Sequence, residues 1–273
     1  MTKFSLIEKY FKGQKEIGYP NYLILDKSFD LSKINAKNKQ TPTVKIEKKV
    51  EVSQTVPEKV TPTTAVKIEH TFQIEQSATQ EKQVDKREKL IELYERCKNC
   101  SACSLSKTRK KFVFGAGTVF TDVLAIGEAP GEREDIEGLP FVGAAGQLLT
   151  KMLAAINLQR NEIFIANVLK CRPPQNRKPN GQEIAACIPM LKRQIEIINP
   201  KAILLLGGTA ANALLQNDKS VGALRGIVHY YENIPVVVSY HPSALLRDAS
   251  WKKYAWEDLQ KFERLLKELR NAQ

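Results

Sequence analysis

Five cysteines carry the most distinctive chemistry in this 273-residue chain. Cys100 and Cys103 are separated by two residues, Cys171 and Cys187 by fifteen, and Cys97 stands just ahead of the first pair. Four thiolates gathered in one place suit zinc or an iron–sulfur cluster, and a CxxC in a loop just past a helix rarely arises without such a role. Spacing alone does not choose between the two metals, nor between Cys97 and Cys100 as a ligand. A disulfide scaffold is not expected, because MTKFSLIEKYFKGQ at the start breaks its apolar residues with charges too often for a signal peptide.

The remaining candidate groups follow four apolar runs. After DVLAIG comes GEAPGEREDIEGLPFVGAAG (127–146), whose small residues let backbone N–H groups approach a ligand. It holds four acids, Glu132, Glu134, Asp135 and Glu137, and one aromatic, Phe141. A carboxylate there suits a general base or a water holder, and Phe141 suits stacking on a planar ligand. The alternative is a solvated acidic loop with Phe141 in the core. After EIFIANVL, Asn167 offers a donor and an acceptor matched to a nucleobase edge, and Arg172, Arg177 and Lys178 follow on a proline-stiffened loop suited to phosphates. After AILLLG, GGTAANALL is a generic anion site lacking GxGxxG and GK[ST], so a dinucleotide or nucleoside triphosphate is not indicated. After PVVVSY comes HPSALLRD, where His241 can donate to developing negative charge. Ser243 and Arg247 are suited to phosphates, and Leu245 with Leu246 to an apolar wedge between bases.

These groups need elements that hold them. The runs 122–127, 162–169, 202–207 and 235–240 are continuous and apolar, and amphipathic stretches separate them. That pattern indicates parallel strands buried on both faces, in a three-layer α/β/α sandwich with a central, mostly parallel four-stranded sheet. Sites in such sheets gather at the carboxyl ends of the strands, where the candidates lie. Helices are expected at AAGQLLTKMLAAI, GQEIAACIPMLKRQIEII, GTAANALL and WKKYAWEDLQKFERLLKEL, and Asp85 with Glu88 reads as a capping box before KREKLIELYERC.

Ahead of this domain, at 86–273, lie two segments of another character. Residues 1–35 are too few for a core of their own, and 36–85 are a low-complexity stretch echoing TPTVKIE (41–47) in TPTTAVKIE (61–69), expected to be a disordered linker. The net charge is +12, yet residues 1–85 hold 14 basic and 11 acidic residues, so most of the excess belongs to the remainder. A spread of basicity over a folded part favours a polyanion over a membrane surface, which prefers a concentrated cluster. No apolar run reaches the roughly 18 residues a membrane helix needs.

Together CSACSLSKTRKKFVFGAG, GEAPGEREDIEGLPFVGAAGQLL, NVLKCRPPQNRKPNGQEIAAC and YHPSALLR resemble the family 4 uracil-DNA glycosylases over residues 86 to 273. The resemblance implies a uracil-DNA glycosylase fold, and a 4Fe–4S cluster on Cys100, Cys103, Cys171 and Cys187, with Cys97 outside the pattern. It implies that uracil is flipped from single- or double-stranded DNA and its N-glycosidic bond hydrolysed, which starts base excision repair. Phe141 would stack on the base, Asn167 would bond its polar edge, and the backbone at Glu128 and Ala129 would contact it. His241 would stabilise charge on uracil O2, and Glu134 would hold or activate water. Arg172, Arg177, Ser243, Leu245 and Arg247 are the expected DNA contacts. Ala129 and Gly131 stand where family 1 enzymes carry a catalytic Asp and a thymine-excluding Tyr, so neither role carries over. A monomeric cytoplasmic enzyme is expected, its first 85 residues serving to recruit a repair or replication protein. The competing readings are an iron–sulfur redox protein and a non-cleaving uracil-DNA binder.

Overall fold

The computed structural model describes residues 85–272. The expectations for 1–35 and for 36–84 lie outside the described residues. Helix α1 spans 85–97 and turns Leu90 and Leu93 into the core, as its spacing requires. Asp85 is itself helical and accepts from Lys89 Nζ at 2.5 Å, one turn along, so the expected capping box is replaced by an i,i+4 ion pair.

Among the described residues six strands form one sheet: β1 (Ala116–Gly117), β2 (Val123–Gly127), β3 (Phe164–Asn167), β4 (Ala202–Leu206), β5 (Val228–Tyr231) and β6 (Ile234–Ser239), in the order β1-β3-β2-β4-β6-β5. The four expected strands are the parallel centre, β3-β2-β4-β6. The sequence reading missed β1 and the pairing of β5, which add an antiparallel strand at each edge. Both are short, and β5 keeps exposed residues, so neither reads as a buried run.

Side-chain alternation separates two cores. Leu124, Ile126, Ile203, Leu205, Val236 and Val238 face α1, helix α4 (Gly181–Ile198) and helix α5 (Gly208–Leu215). Val123, Ala125, Leu204, Leu206 and Val237 face helix α3 (Ala144–Ala154) and the last helix, α8 (Lys252–Asn271). This is the expected α/β/α sandwich. Three short helices complete it: α2 (Glu132–Glu137), α6 (Val221–Leu224) and α7 (Pro242–Arg247). The acidic stretch read as a loop is therefore α2, whose acids favour the first turn and whose end is set by Gly138 at φ 82°.

Among the described residues no helix is long and apolar enough to cross a membrane.

Candidate functional site

From β2 the chain leaves toward β3, and from β4 it leaves toward β6, so the carboxyl ends of β2 and β4 flank a crevice. Thr209, near the start of α5, donates to Glu128 Oε2 at 2.5 Å and ties the two strand ends together. Thr209 was not anticipated; nothing in GGTAANALL distinguishes it from a structural threonine.

Gly127 ends β2 and stands in register with Asn167, the end of β3. A Cβ on Gly127 would lie 2.5 Å from Asn167 Oδ1 and 2.6 Å from Phe141 Cζ, so both side chains are drawn over bare backbone. The Phe141 ring also stands 5.5 Å from the His241 ring, inclined by 32°. An aromatic, an amide and an imidazole from three separate segments thus meet at one end of the sheet. Phe141 is only 5% exposed and belongs to the core on the α3 side, so it is at once a core residue and a wall of this site.

Asn167 is 2% exposed, and its Oδ1 is buried with no hydrogen-bond partner. Buried polar atoms are nearly always satisfied, and leaving one unpaired costs about 1–3 kcal/mol. An exception at a strand end beside an aromatic ring suits a ligand that supplies the missing donor.

Glu134 comes from α2 and is buried. Its Oε1 accepts from the backbone N–H groups of Val142 and Gly143, each at 2.9 Å. Those bonds hold the turn that carries Phe141, whose φ of 53° is unusual for a bulky residue. The turn also needs Gly146, where a Cβ would overlap the Phe141 carbonyl oxygen.

His241 follows β6 and precedes α7, where Pro242 fixes the entry to the helix. Its Nδ1 accepts the Ser243 backbone N–H at 3.1 Å and lies 2.8 Å from Ser243 Oγ. Loss of solvent, helped by the charge of Arg247, pushes its pKa down to about 4, so the ring is neutral at ordinary pH. The end of β6 is anchored by Ser239, which donates to Asp258 Oδ2 at 3.0 Å, and Arg225 Nε bonds the same oxygen at 3.1 Å.

The expected DNA contacts divide. Arg247 is exposed beside His241. Arg172 is half-buried, with Glu132 at 3.6 Å and Asn176 Oδ1 at 2.8 Å. Arg177 is committed elsewhere: it grips both oxygens of buried Glu183, at 2.6 and 2.9 Å, beside the Asn180–Glu183 capping box that starts α4. Ser243 is engaged with His241, donating the backbone N–H by which His241 Nδ1 caps α7. Leu245 is 2% exposed and points into the core, so the exposed tip is Leu246 alone, at 51%. In a six-residue helix docked on a core, neighbouring leucines point about 100° apart, so one is buried and the next exposed, which the sequence did not resolve. Ala129 is half-buried, follows Gly127 and Glu128 in the chain, and packs against the core lined by α1 and α4.

The cysteines meet on the other face of the sheet. Cys97, Cys103, Cys171 and Cys187 join the core lined by α1 and α4. Cys171 lies within electrostatic reach of Cys103 and Cys100, and Cys187 within reach of Cys171 and Cys103. Burial raises the thiol pKa of Cys171, and that of Cys187 to about 11. Against this, Arg109 Nη1 donates to Cys171 Sγ at 3.2 Å and the Lys170 backbone N–H to Cys187 Sγ at 3.3 Å. Such donors suit sulfurs that carry negative charge. Among the described residues no three His, Cys, Asp or Glu side chains close to the spacing of a single ion. Thiolates around an iron–sulfur cube stand further apart, because the cube itself fills the centre.

Lys170 is a second residue the sequence reading passed over. It is fully buried, and its Nζ donates to the Asn167 carbonyl at 2.9 Å and to Gln194 Oε1 at 2.6 Å. The available signal was a single lysine inside the apolar run leading to Cys171.

Residues 114–260 match the model of the uracil DNA glycosylase superfamily. A type-4 uracil-DNA glycosylase of Thermotoga maritima is 42% identical over 186 residues, 66% of this chain and 97% of the relative. One from Pyrobaculum aerophilum is 41% identical over 181 residues, 63% and 92% respectively. One from Saccharolobus solfataricus is 43% identical over 178 residues, 62% and 82%.

Proposed function

The chain belongs to the uracil DNA glycosylase superfamily, and we propose that it is a type-4 uracil-DNA glycosylase, which removes uracil from DNA and leaves an abasic site for base excision repair. The observation that carries this reading is the unpartnered Oδ1 of Asn167 over Gly127 with Phe141, whose ring in turn stands 5.5 Å from that of His241.

Uracil cannot react within the stack, so it is flipped into the crevice. Phe141 stacks on its ring, the Asn167 amide pairs with its polar edge, and the backbone at Glu128 and Ala129 completes the contact. Uracil N3–H is a donor and cytosine N3 an acceptor, so Oδ1 of Asn167 favours uracil. As the C1′–N1 bond breaks, its electron pair leaves with the base and negative charge grows on O2. Neutral His241 meets it with its Nε2–H, needing no prior protonation. Water adds to C1′ and gives up a proton, and the products are uracil and the abasic sugar. Glu134 is the carboxylate at hand to hold that water and offset positive charge on the sugar.

Cys100, Cys103, Cys171 and Cys187 fit a 4Fe–4S cluster. When bound, it supplies a cross-link that ties the segment after α1 to the loop carrying Arg172. In the same reading the enzyme is a cytoplasmic monomer whose first 85 residues recruit a replication or repair protein.

The test is incubation of anaerobically purified protein with a single-uracil oligonucleotide, followed by alkali. Scission at uracil and not at thymine, lost by about 10²–10³-fold in His241→Ala, is the expected result. An intact strand with a brown protein supports instead a redox role or a non-cleaving binder.

A further inference from the structure

Tyr240 and Trp251 stack with ring centroids 4.9 Å apart and planes inclined by 28°. Tyr240 immediately precedes His241, so this pair begins one peptide unit, about 3.8 Å between Cα atoms, from the imidazole assigned to uracil O2. Trp251 closes the 3-10 turn Ala249–Trp251. That turn is fixed by Asp248, whose Oδ1 accepts from Ser250 N at 2.9 Å and from Ser250 Oγ at 2.6 Å. The indole is therefore held from below by Tyr240 and from behind by a capped turn, yet it remains 37% exposed.

A single exposed aromatic needs no explanation. This one differs in its surroundings: Arg247, Lys252 and Lys253 are exposed on either side of it in the chain, and Leu246 is exposed at the end of α7. Lys253 Nζ stands 4.7 Å from the centre of the Tyr254 ring, which leaves Arg247 and Lys252 as the exposed cations close to Trp251 in the chain. A held aromatic plane with cations close to it in the chain complements one class of ligand above others, a nucleobase with its flanking phosphates.

We propose that Trp251 is a stacking platform for a nucleobase adjacent to the flipped uracil in the same strand. This rests on the glycosylase reading above. When uracil leaves the stack, each neighbouring base loses a partner on one face, and that unstacking is part of what flipping costs. An indole stacked on the residue that precedes His241 restores contact on one of those faces. The platform acts on one side of the lesion, needs no particular base, and works equally on a single strand.

The test uses a single-stranded oligonucleotide with one 2′-fluoro-2′-deoxyuridine, whose electron-withdrawing fluorine resists glycosidic cleavage. Its 5′ or 3′ neighbour is replaced in turn by an abasic spacer, and affinity is measured for wild type, Trp251→Ala and Trp251→Phe. One spacer, and only one, is expected to weaken wild-type binding about tenfold, within the range a stacked base contributes. Trp251→Ala is expected to bind the intact strand about tenfold more weakly and to be indifferent to that spacer, with Trp251→Phe between. Wild-type affinity unaffected by either spacer, or losses from spacer and Trp251→Ala that multiply, overturns the proposal. So does unchanged DNA binding by Trp251→Ala, which would leave the surface to a protein partner. A wild type that binds uracil and thymine strands equally fails differently, because it removes the glycosylase reading itself.

Discussion

His241 Nδ1 accepts the backbone N–H of Ser243 at 3.1 Å, and that bond decides where the ring carries its proton. A backbone N–H can only donate, so Nδ1 is bare and the single proton of the neutral ring sits on Nε2. The same contact caps α7, so the device that starts a helix also sets the tautomer of the imidazole at its entrance.

The depressed pKa of His241, about 4 against the ordinary 6.5, has a consequence for stability. Above pH 6.5 folded and unfolded chains both hold the ring neutral, and His241 gives no pH dependence. Between 6.5 and 4 the unfolded chain takes up the proton first, so stability falls as pH drops, levelling off below about 4. Thermal unfolding of wild type and His241→Gln across this window is expected to show a shallower slope in the variant. Equal slopes, or a histidine ring resonance titrating near 6.5 and assigned to His241, would contradict the neutral-donor role.

Glu134 lends itself to a two-variant separation. Its Oε1 holds Val142 and Gly143, a task that a glutamine oxygen performs equally well. Glu134→Gln is expected to keep uracil affinity and thermal stability while kcat falls, since the charge near the sugar is gone. Glu134→Ala leaves the buried Gly143 N–H and the part-buried Val142 N–H unpaired and is expected to lose about 1–3 kcal/mol of stability as well as base affinity. If Gln matches wild type in kcat, Glu134 only holds the Phe141 turn.

Asn167→Asp keeps size but presents a carboxylate where uracil also offers carbonyl oxygens. Binding of uracil strands is expected to weaken by roughly 10–100-fold, corresponding to about 1.4–3 kcal/mol for an unpaired buried group. Discrimination against cytosine should shrink, measured as the ratio of kcat/KM on uracil and cytosine oligonucleotides. An unaltered ratio means that Asn167 does not face the base.

The cysteine assignment separates by spectrum. Cys171→Ser and Cys100→Ser are expected to lose the visible absorption of the cluster and to melt at lower temperature, whereas Cys97→Ser keeps both. Bleaching by Cys97→Ser with colour retained in Cys100→Ser would exchange the two in the ligand set.

How much of this was legible beforehand follows from the physics of each signal. The parallel strands were, because residues such as Leu204 and Val237 lie in runs buried on both faces, and helix α4 was, because GQEIAACIPMLKRQIEII is a long amphipathic stretch between two such runs. Gly127, Asn167 and His241 were located because strand ends are fixed by the runs that precede them. What failed depended on facing directions within a short turn. Leu245 and Leu246 are equivalent as letters, and only docking of α7 buries one. Arg177 reads as a phosphate contact until Glu183, six residues on, is found to hold it. Lys170 was invisible because its partners, Asn167 and Gln194, come together only in the fold.

Gly127 offers the most direct test of the assembled site. It has no positive φ, so alanine is tolerated by the backbone there, and the edge of the sheet is not involved. The obstacle is local: the new methyl would meet Asn167 Oδ1 at 2.5 Å and the Phe141 ring at 2.6 Å. Both side chains are buried, and the Phe141 turn is held by Glu134, so the methyl must displace them. Gly127→Ala is expected to fold with cluster colour intact, since the cysteines lie on the opposite face, yet to lose uracil affinity at least tenfold. Retained affinity would show that Gly127, Asn167 and Phe141 do not enclose the base. Loss of the colour together with activity would show that the two faces of the sheet are coupled through Asn167 and Lys170.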